Sequence, residues 1–106
     1  ARSLGLPELV PEAVLNQAGY FALQFMKRPG FALSLFRRNV ERYPGSANVY
    51  DSLADALIAT GDTAAARVEL RRAIDLATST GHTVLAESKR KLETLEQATQ
   101  AGRPRP

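Results

Sequence analysis

The sequence has no cysteine and no tryptophan, and it carries one histidine, His82, and one methionine, Met26, in 106 residues. Without cysteine there is no disulfide, no thiolate metal site and no Cys nucleophile, and cysteine usage says nothing about compartment. No apolar run approaches the ~18 residues that a membrane-spanning helix needs, and the N-terminus shows no charged start followed by a long apolar stretch. What is present is ordinary for one small globular domain: 44% hydrophobic and 24% charged residues. The net charge of +3 and a pI near 9.7 permit acidic partners without requiring them. The first residue is Ala1 and not Met, so the chain is expected to be processed or to be a piece of a longer one.

Hydrophobic periodicity divides the chain into five helices and no strand. Residues 1–11, with Pro7 and Pro11, are read as a linker. Pro11 then suits the first position of a helix that carries Val14, Leu15, Ala18, Ala22, Leu23 and Phe25 at helical spacing. Lys27-Arg28-Pro29-Gly30 interrupts the pattern. A second period runs through Phe31, Ala32, Leu35, Phe36, Val40 and Tyr43 to Pro44-Gly45, with Pro29 at its first position. Ser46 is the expected N-cap of a third helix ending at Gly61, and Asp62 that of a fourth closing at Gly81. A fifth, over about 83–98, presents Leu85, Leu92 and Leu95 inward and the SKRK run, 88–91, to solvent. Residues 99–106 are read as a disordered tail, since Arg-Pro pairs without apolar neighbours cannot be packed.

The chain also repeats itself. A shift of 35 sets Leu15 on Tyr50, Ala18 on Leu53, Gly19 on Ala54 and Ala22 on Leu57; a shift of 34 sets Ala32 on Ala66, Phe36 on Leu70 and Asn39 on Ala73. The extra residue is expected in the Lys27–Gly30 turn. Small residues at Gly19, Ala32, Ala54 and Ala66 suit close helix crossings, where a larger side chain would force the axes beyond 8–10 Å.

On these residues, with Pro44 closing the first unit, the chain resembles the tetratricopeptide repeat family, whose unit is a helix-turn-helix of 34 residues. Ala22, where the family has a large residue, and Thr78, where it has Pro, depart from the pattern. The resemblance implies an all-α fold of two antiparallel hairpins, about 12–45 and 46–80, plus a C-terminal capping helix, in a right-handed superhelical stack over 12–98. The wording LNQAGYFAL, LFRRNVERYPGSANVYDSLADAL and GD is similar, more narrowly, to repeat pairs appended to bacterial esterases and serine β-lactamase-like hydrolases. That likeness implies a non-catalytic appendage that contacts its own catalytic domain.

No residue pattern argues for catalysis. His82 lies in the turn Thr80-Gly81-His82-Thr83 and reads as a surface or capping residue, and Gly45-Ser46 lacks the Gly-x-Ser-x-Gly spacing of a nucleophile elbow. No glycine-rich phosphate loop follows a strand. No cofactor or metal is expected. Asp51 and Asp55 stand four apart on one helix, which suits a solvated face, a recognition pair, or acid–base and metal chemistry.

In the family resembled, the first helices of successive hairpins line a concave groove. That carries Asn16, Tyr20 and Gln24 beside Asn48, Asp51, Ser52, Asp55 and Ile58, a polar and acidic groove for a protein or peptide. Tyr20 and Tyr50 could each be groove surface or packing aromatic. No Lys or Arg occupies these positions, so an acidic C-terminal tail is not the expected ligand, and a basic or amide-rich segment is. The second helices carry Arg37, Arg38, Arg42, Arg67, Arg71 and Arg72, but acidic residues four apart, as in Arg37 with Glu41 and Arg71 with Asp75, argue against nucleic acid. Two repeats are fewer than the usual three, so a monomer or weak dimer is expected.

Overall fold

The structure, a computed structural model, describes residues 10–101. The chain forms α1 (Glu12–Gln24), α2 (Pro29–Arg42), α3 (Ala47–Ala59), α4 (Thr63–Thr80) and α5 (Leu85–Ala101), with no strand among the described residues. The fold is all-α. The expected linker lies outside the described residues up to position 9, and the expected tail beyond position 101; α5 itself runs to Ala101, three residues past the expected 98.

Most helix ends follow local chemistry. Pro29 occupies the first turn of α2, where its missing N–H leaves no bond unmade. The Asp62 carboxylate accepts from the Ala65 N–H at 3.1 Å, and Gly81 closes α4 in the left-handed region at φ 70°. Pro11 flanks α1 from outside the helix, at its N-cap. Ser46 does stand at the N-cap of α3, but its side chain does not cap. Its Oγ donates instead to Glu12 Oε2 at 2.8 Å, because the first turn of α1 lies across from it. Lys27 ends α1 with a φ of 55°, and the Arg28 N–H closes back on the Ala22 carbonyl at 2.9 Å.

Each helix packs on its successor, and α1 also meets α3, so the pairs α1/α2 and α3/α4 are neighbouring antiparallel hairpins with α5 laid on the second. Four residues link α1 to α2 and three link α3 to α4, which places the extra residue of the first repeat in that turn. Repeat-equivalent positions share burial: Leu15 with Tyr50, Gly19 with Ala54, Ala22 with Leu57, Ala32 with Ala66, Phe36 with Leu70 and Asn39 with Ala73. One core cluster joins Ala22, Ala32 and Phe36 of the first hairpin to Leu53, Ala54, Ala56, Leu57, Ala66 and Leu70 of the second. Glycine is required at position 19, since an added Cβ would fall closer than 3.0 Å to three carbons of the Phe36 ring. Ala18 and Leu53 break the pairing: Leu53 is buried and Ala18 is exposed.

The fifth helix obeys the same spacing. A further shift of 34 carries Tyr50 to Val84, Ala54 to Ser88 and Leu57 to Lys91. Val84 and Ser88 are buried, and the Lys91 side chain is 20% exposed. The placement of SKRK on the solvent side is therefore corrected. Lys89 and Arg90 do face water, but Ser88 and Lys91 lie with Val84, Leu92 and Leu95 on the inward stripe, seven and eleven residues being whole numbers of turns.

Candidate functional site

Because α1 and α3 lie side by side and α5 reaches α3 through its inward stripe, polar side chains from three helices converge. Ser52 Oγ donates to Asn16 Oδ1 at 2.5 Å, and Tyr20 Oη donates to Asp55 Oδ2 at 2.5 Å. Ser88 Oγ donates to Asp51 Oδ1 at 2.7 Å. Lys91 Nζ donates to Asp51 Oδ2 at 2.7 Å and to Asp55 Oδ2 at 3.0 Å. One ammonium thus bridges the two carboxylates, with Glu87 at 3.9 Å on its outer side.

The network is largely closed to water. Asp51 and Ser52 are buried, while Asn16, Tyr20, Asp55 and Lys91 are half-buried. Burial by itself disfavours the Lys91 ammonium, but hydrogen bonds and charge from Asp51 and Asp55 outweigh it and hold its pKa above the ordinary lysine value. Burial, then the Asp55 carboxylate, raises the Tyr20 phenol far above the usual tyrosine range. Both groups keep their protons at neutral pH. Tyr20 edges onto the Phe36 ring with centroids 5.0 Å apart, so it serves both as groove residue and as packing aromatic. Tyr50 is a packing residue, buried in the cluster of Val49 and Ala73, with its hydroxyl donating to the Pro44 carbonyl at 2.7 Å.

Of the seven groove positions read from the sequence, Asn16, Tyr20, Asp51, Ser52 and Asp55 meet in this one network. Gln24 is exposed at the last turn of α1, and Asn48 is half-buried in the first turn of α3. The acidic character expected of the groove is corrected: Lys91 enters from α5 and takes up both carboxylates, so the preference for a basic segment loses its premise. Sequence reasoning missed Ser88 and Lys91, because the shift of 35 that aligns α1 with α3 points one residue further on, to Lys89 and Leu92.

Chemically the arrangement is a latch. The Ser52, Tyr20 and Ser88 hydroxyls each donate to an acceptor of the network, and Asp51 and Asp55 are both bound to the Lys91 ammonium. The adjoining depression, lined by Ile58, Arg90, Lys91, Thr94 and Leu95, has about 240 Å³, below the ~300–1,000 Å³ of small-molecule sites. Among the described residues, no cluster of three or more His, Cys, Asp or Glu side chains is placed to hold a metal ion, and no helix is long and apolar enough to cross a membrane. His82 Nδ1 accepts from the Val84 N–H at 3.0 Å and so caps the turn into α5.

A second surface lies on the far side of α1. At 100° per residue, Val14, Ala18, Phe21 and Phe25 fall within an arc of about 60°, roughly opposite the Asn16, Tyr20 and Leu23 side that turns to α3. All four are exposed, Phe21 by 56% and Phe25 by 73%, and the two rings stack with centroids 5.5 Å apart. No charged residue occurs from Ala13 to Met26. Compared with protein-family models, curated proteins and solved structures, the chain matches none.

Proposed function

We propose that this chain is a non-catalytic protein-interaction module of the tetratricopeptide kind, which recognises another polypeptide through the outer edge of α1 and not through the carboxylates of the groove. The observation that carries this reading is the uncharged edge itself. Soluble proteins seldom leave stacked phenylalanines in water on a face with no charge unless that face is an interaction surface. The shared burial of repeat-equivalent positions supports the repeat. The latch supports a scaffold role, since it fixes three helices without leaving a reactive group free.

The test is affinity capture by the full chain, wild type against Phe21→Glu/Phe25→Glu, with circular dichroism as the check on folding. Both positions are exposed, so the variant keeps its helix signal. A defined polypeptide held by wild type and lost by the variant supports the reading. Identical capture by both, or loss instead with Asn48→Arg in the groove, overturns it.

A further inference from the structure

The internal repeat identifies what kind of surface covers the α1 edge. Under the shift of 35, Val14, Ala18 and Phe21 correspond to Val49, Leu53 and Ala56, all of which are buried in α3. There the preceding hairpin supplies the cover: Val49 lies with Val40 of α2 and Tyr43 at its C-cap, and Leu53 and Ala56 share a cluster with Ala32 and Phe36. The α1 edge is therefore a stacking face whose equivalent one repeat later is closed by helices.

We propose that a second copy of this chain closes it, α1 against α1 in antiparallel register about a two-fold axis. This rests on the interaction reading above and names the partner. The sequence of α1 is self-complementary in that register, where residues whose numbers sum to 39 stand opposite one another. Val14 meets Phe25 of the second copy and Ala18 meets Phe21, each a smaller residue against a large one, so ridges fall into grooves. Glu12 faces Ser46 on the α3 side, so no charge lies near the axis to face its own image.

The other end of the row rejects the same edge. The outer side of α5 exposes Lys89, Arg90, Glu93 and Glu96, so stacking α1 on α5 of another copy would bury charges against phenylalanines. Of these two contacts the two-fold one matches, and it closes at two copies without propagating into a filament. With roughly 200 Å² per fully exposed phenylalanine, the stripe offers about 350 Å² of apolar surface and about 500 Å² with its flanking residues. Two copies then bury about 1,000 Å², at the lower limit for a specific interface, so the dimer is reversible.

The test is sedimentation equilibrium of the full chain from about 1 to 500 µM, a range that resolves a dimer with a Kd between about 1 µM and 1 mM. Wild type is expected to pass from monomer to dimer. Phe21→Glu and, independently, Phe25→Glu should weaken the dimer about thirtyfold or more, the loss typical of a central aromatic anchor, and Lys89→Glu should leave it unchanged. The cysteine-free background allows a positional check: Ala18→Cys should cross-link between chains under mild oxidation, and Ala64→Cys on α4 should not. A monomer throughout, species larger than a dimer, or a dimer indifferent to Phe21→Glu overturns the proposal. So does a monomer that dimerises only once residues 1–9 are removed, which would make the chain's own N-terminal segment the occupant. A monomer that still captures a different polypeptide through Phe21 and Phe25 defeats the dimer alone and leaves the interaction reading standing.

Discussion

Replacing Lys91 with methionine keeps the length of the side chain and removes its charge. Asp51, whose side chain is 5% exposed, is then left with the Ser88 hydroxyl, and Asp55 with the Tyr20 phenol. Removing one partner of a buried ion pair costs about 3–5 kcal/mol, because the remaining charge stays desolvated without compensation. The Lys91 and Asp55 side chains keep 20% and 23% exposure, which admits some water and selects the lower end, about 3 kcal/mol. In a domain of this size each kcal/mol moves the thermal midpoint by ~4–8 °C, so Lys91→Met should melt at least about 12 °C lower. Urea unfolding followed at 222 nm gives the free energy directly, with an unchanged slope confirming that the folded state is the same. Adding Asp51→Asn should cost less on the Lys91→Met background than on wild type, by at least about 1 kcal/mol, since neighbours in one network are not additive. A Lys91→Met chain within about 0.5 kcal/mol of wild type, the range of an ordinary surface substitution, would refute the latch, as would strictly additive effects.

Two further outcomes follow from the packing and the protonation of the network. Gly19→Ala gains up to about 1 kcal/mol of helix propensity but drives a methyl into the Phe36 ring, which costs about 1–3 kcal/mol or more, so thermal melting should show a net loss. Gly30→Ala, with nothing within 4 Å of its added Cβ, should instead stabilise by about 0.4–1 kcal/mol, and a gain at both positions would sink the assigned helix crossing. Lys91 and Tyr20 both have raised pKa values in the folded chain, so their contribution is complete below the unfolded values. It declines as pH rises from about 10, where the unfolded chain releases protons that the folded chain retains. The urea midpoint should accordingly fall between pH 9 and 11 more steeply for wild type than for Tyr20→Phe, and parallel curves would contradict the assignment.

Much of this fold is legible without coordinates. The five helices are announced by apolar spacing and by Pro29, Asp62, Gly61 and Gly81, whose effects are local. Ser46 shows where local reasoning ends: its hydroxyl has the right position and residue type to accept from a backbone N–H of α3, yet with α1 alongside it donates to Glu12, 34 positions away, and makes no cap bond. Asp51 and Asp55 show the same limit for charge. Their spacing on one helix suggests a shared face, but whether that face meets water or a cation depends on a third helix that no pattern within α3 describes. The exposed edge of α1 is hidden in the sequence for the opposite reason. Val14, Ala18 and Phe25 satisfy the helical period as well as any core residue does, and periodicity cannot tell a stripe that is covered from one that awaits cover.

The placement of Lys91 sets α5 apart from the helices that precede it at the same repeat position. At the equivalent position the first two repeats hold Ala22 and Leu57, wholly apolar and indifferent to a small slide of one helix along the next. A lysine there is tolerated only where two carboxylates stand within bonding distance, and Asp51 and Asp55 supply that arrangement at one register alone. A slip of α5 by a single turn would carry the ammonium about 5 Å away and strand three charges in a poorly solvated seam. Apolar residues in place of all three charges would add comparable stability, but they would not specify the register. The latch thus fixes the α5 end of the row in one alignment, while the outer side of α5 turns charge to the solvent. The α1 edge carries neither device, and that asymmetry is why the proposed contact with another chain is placed on α1.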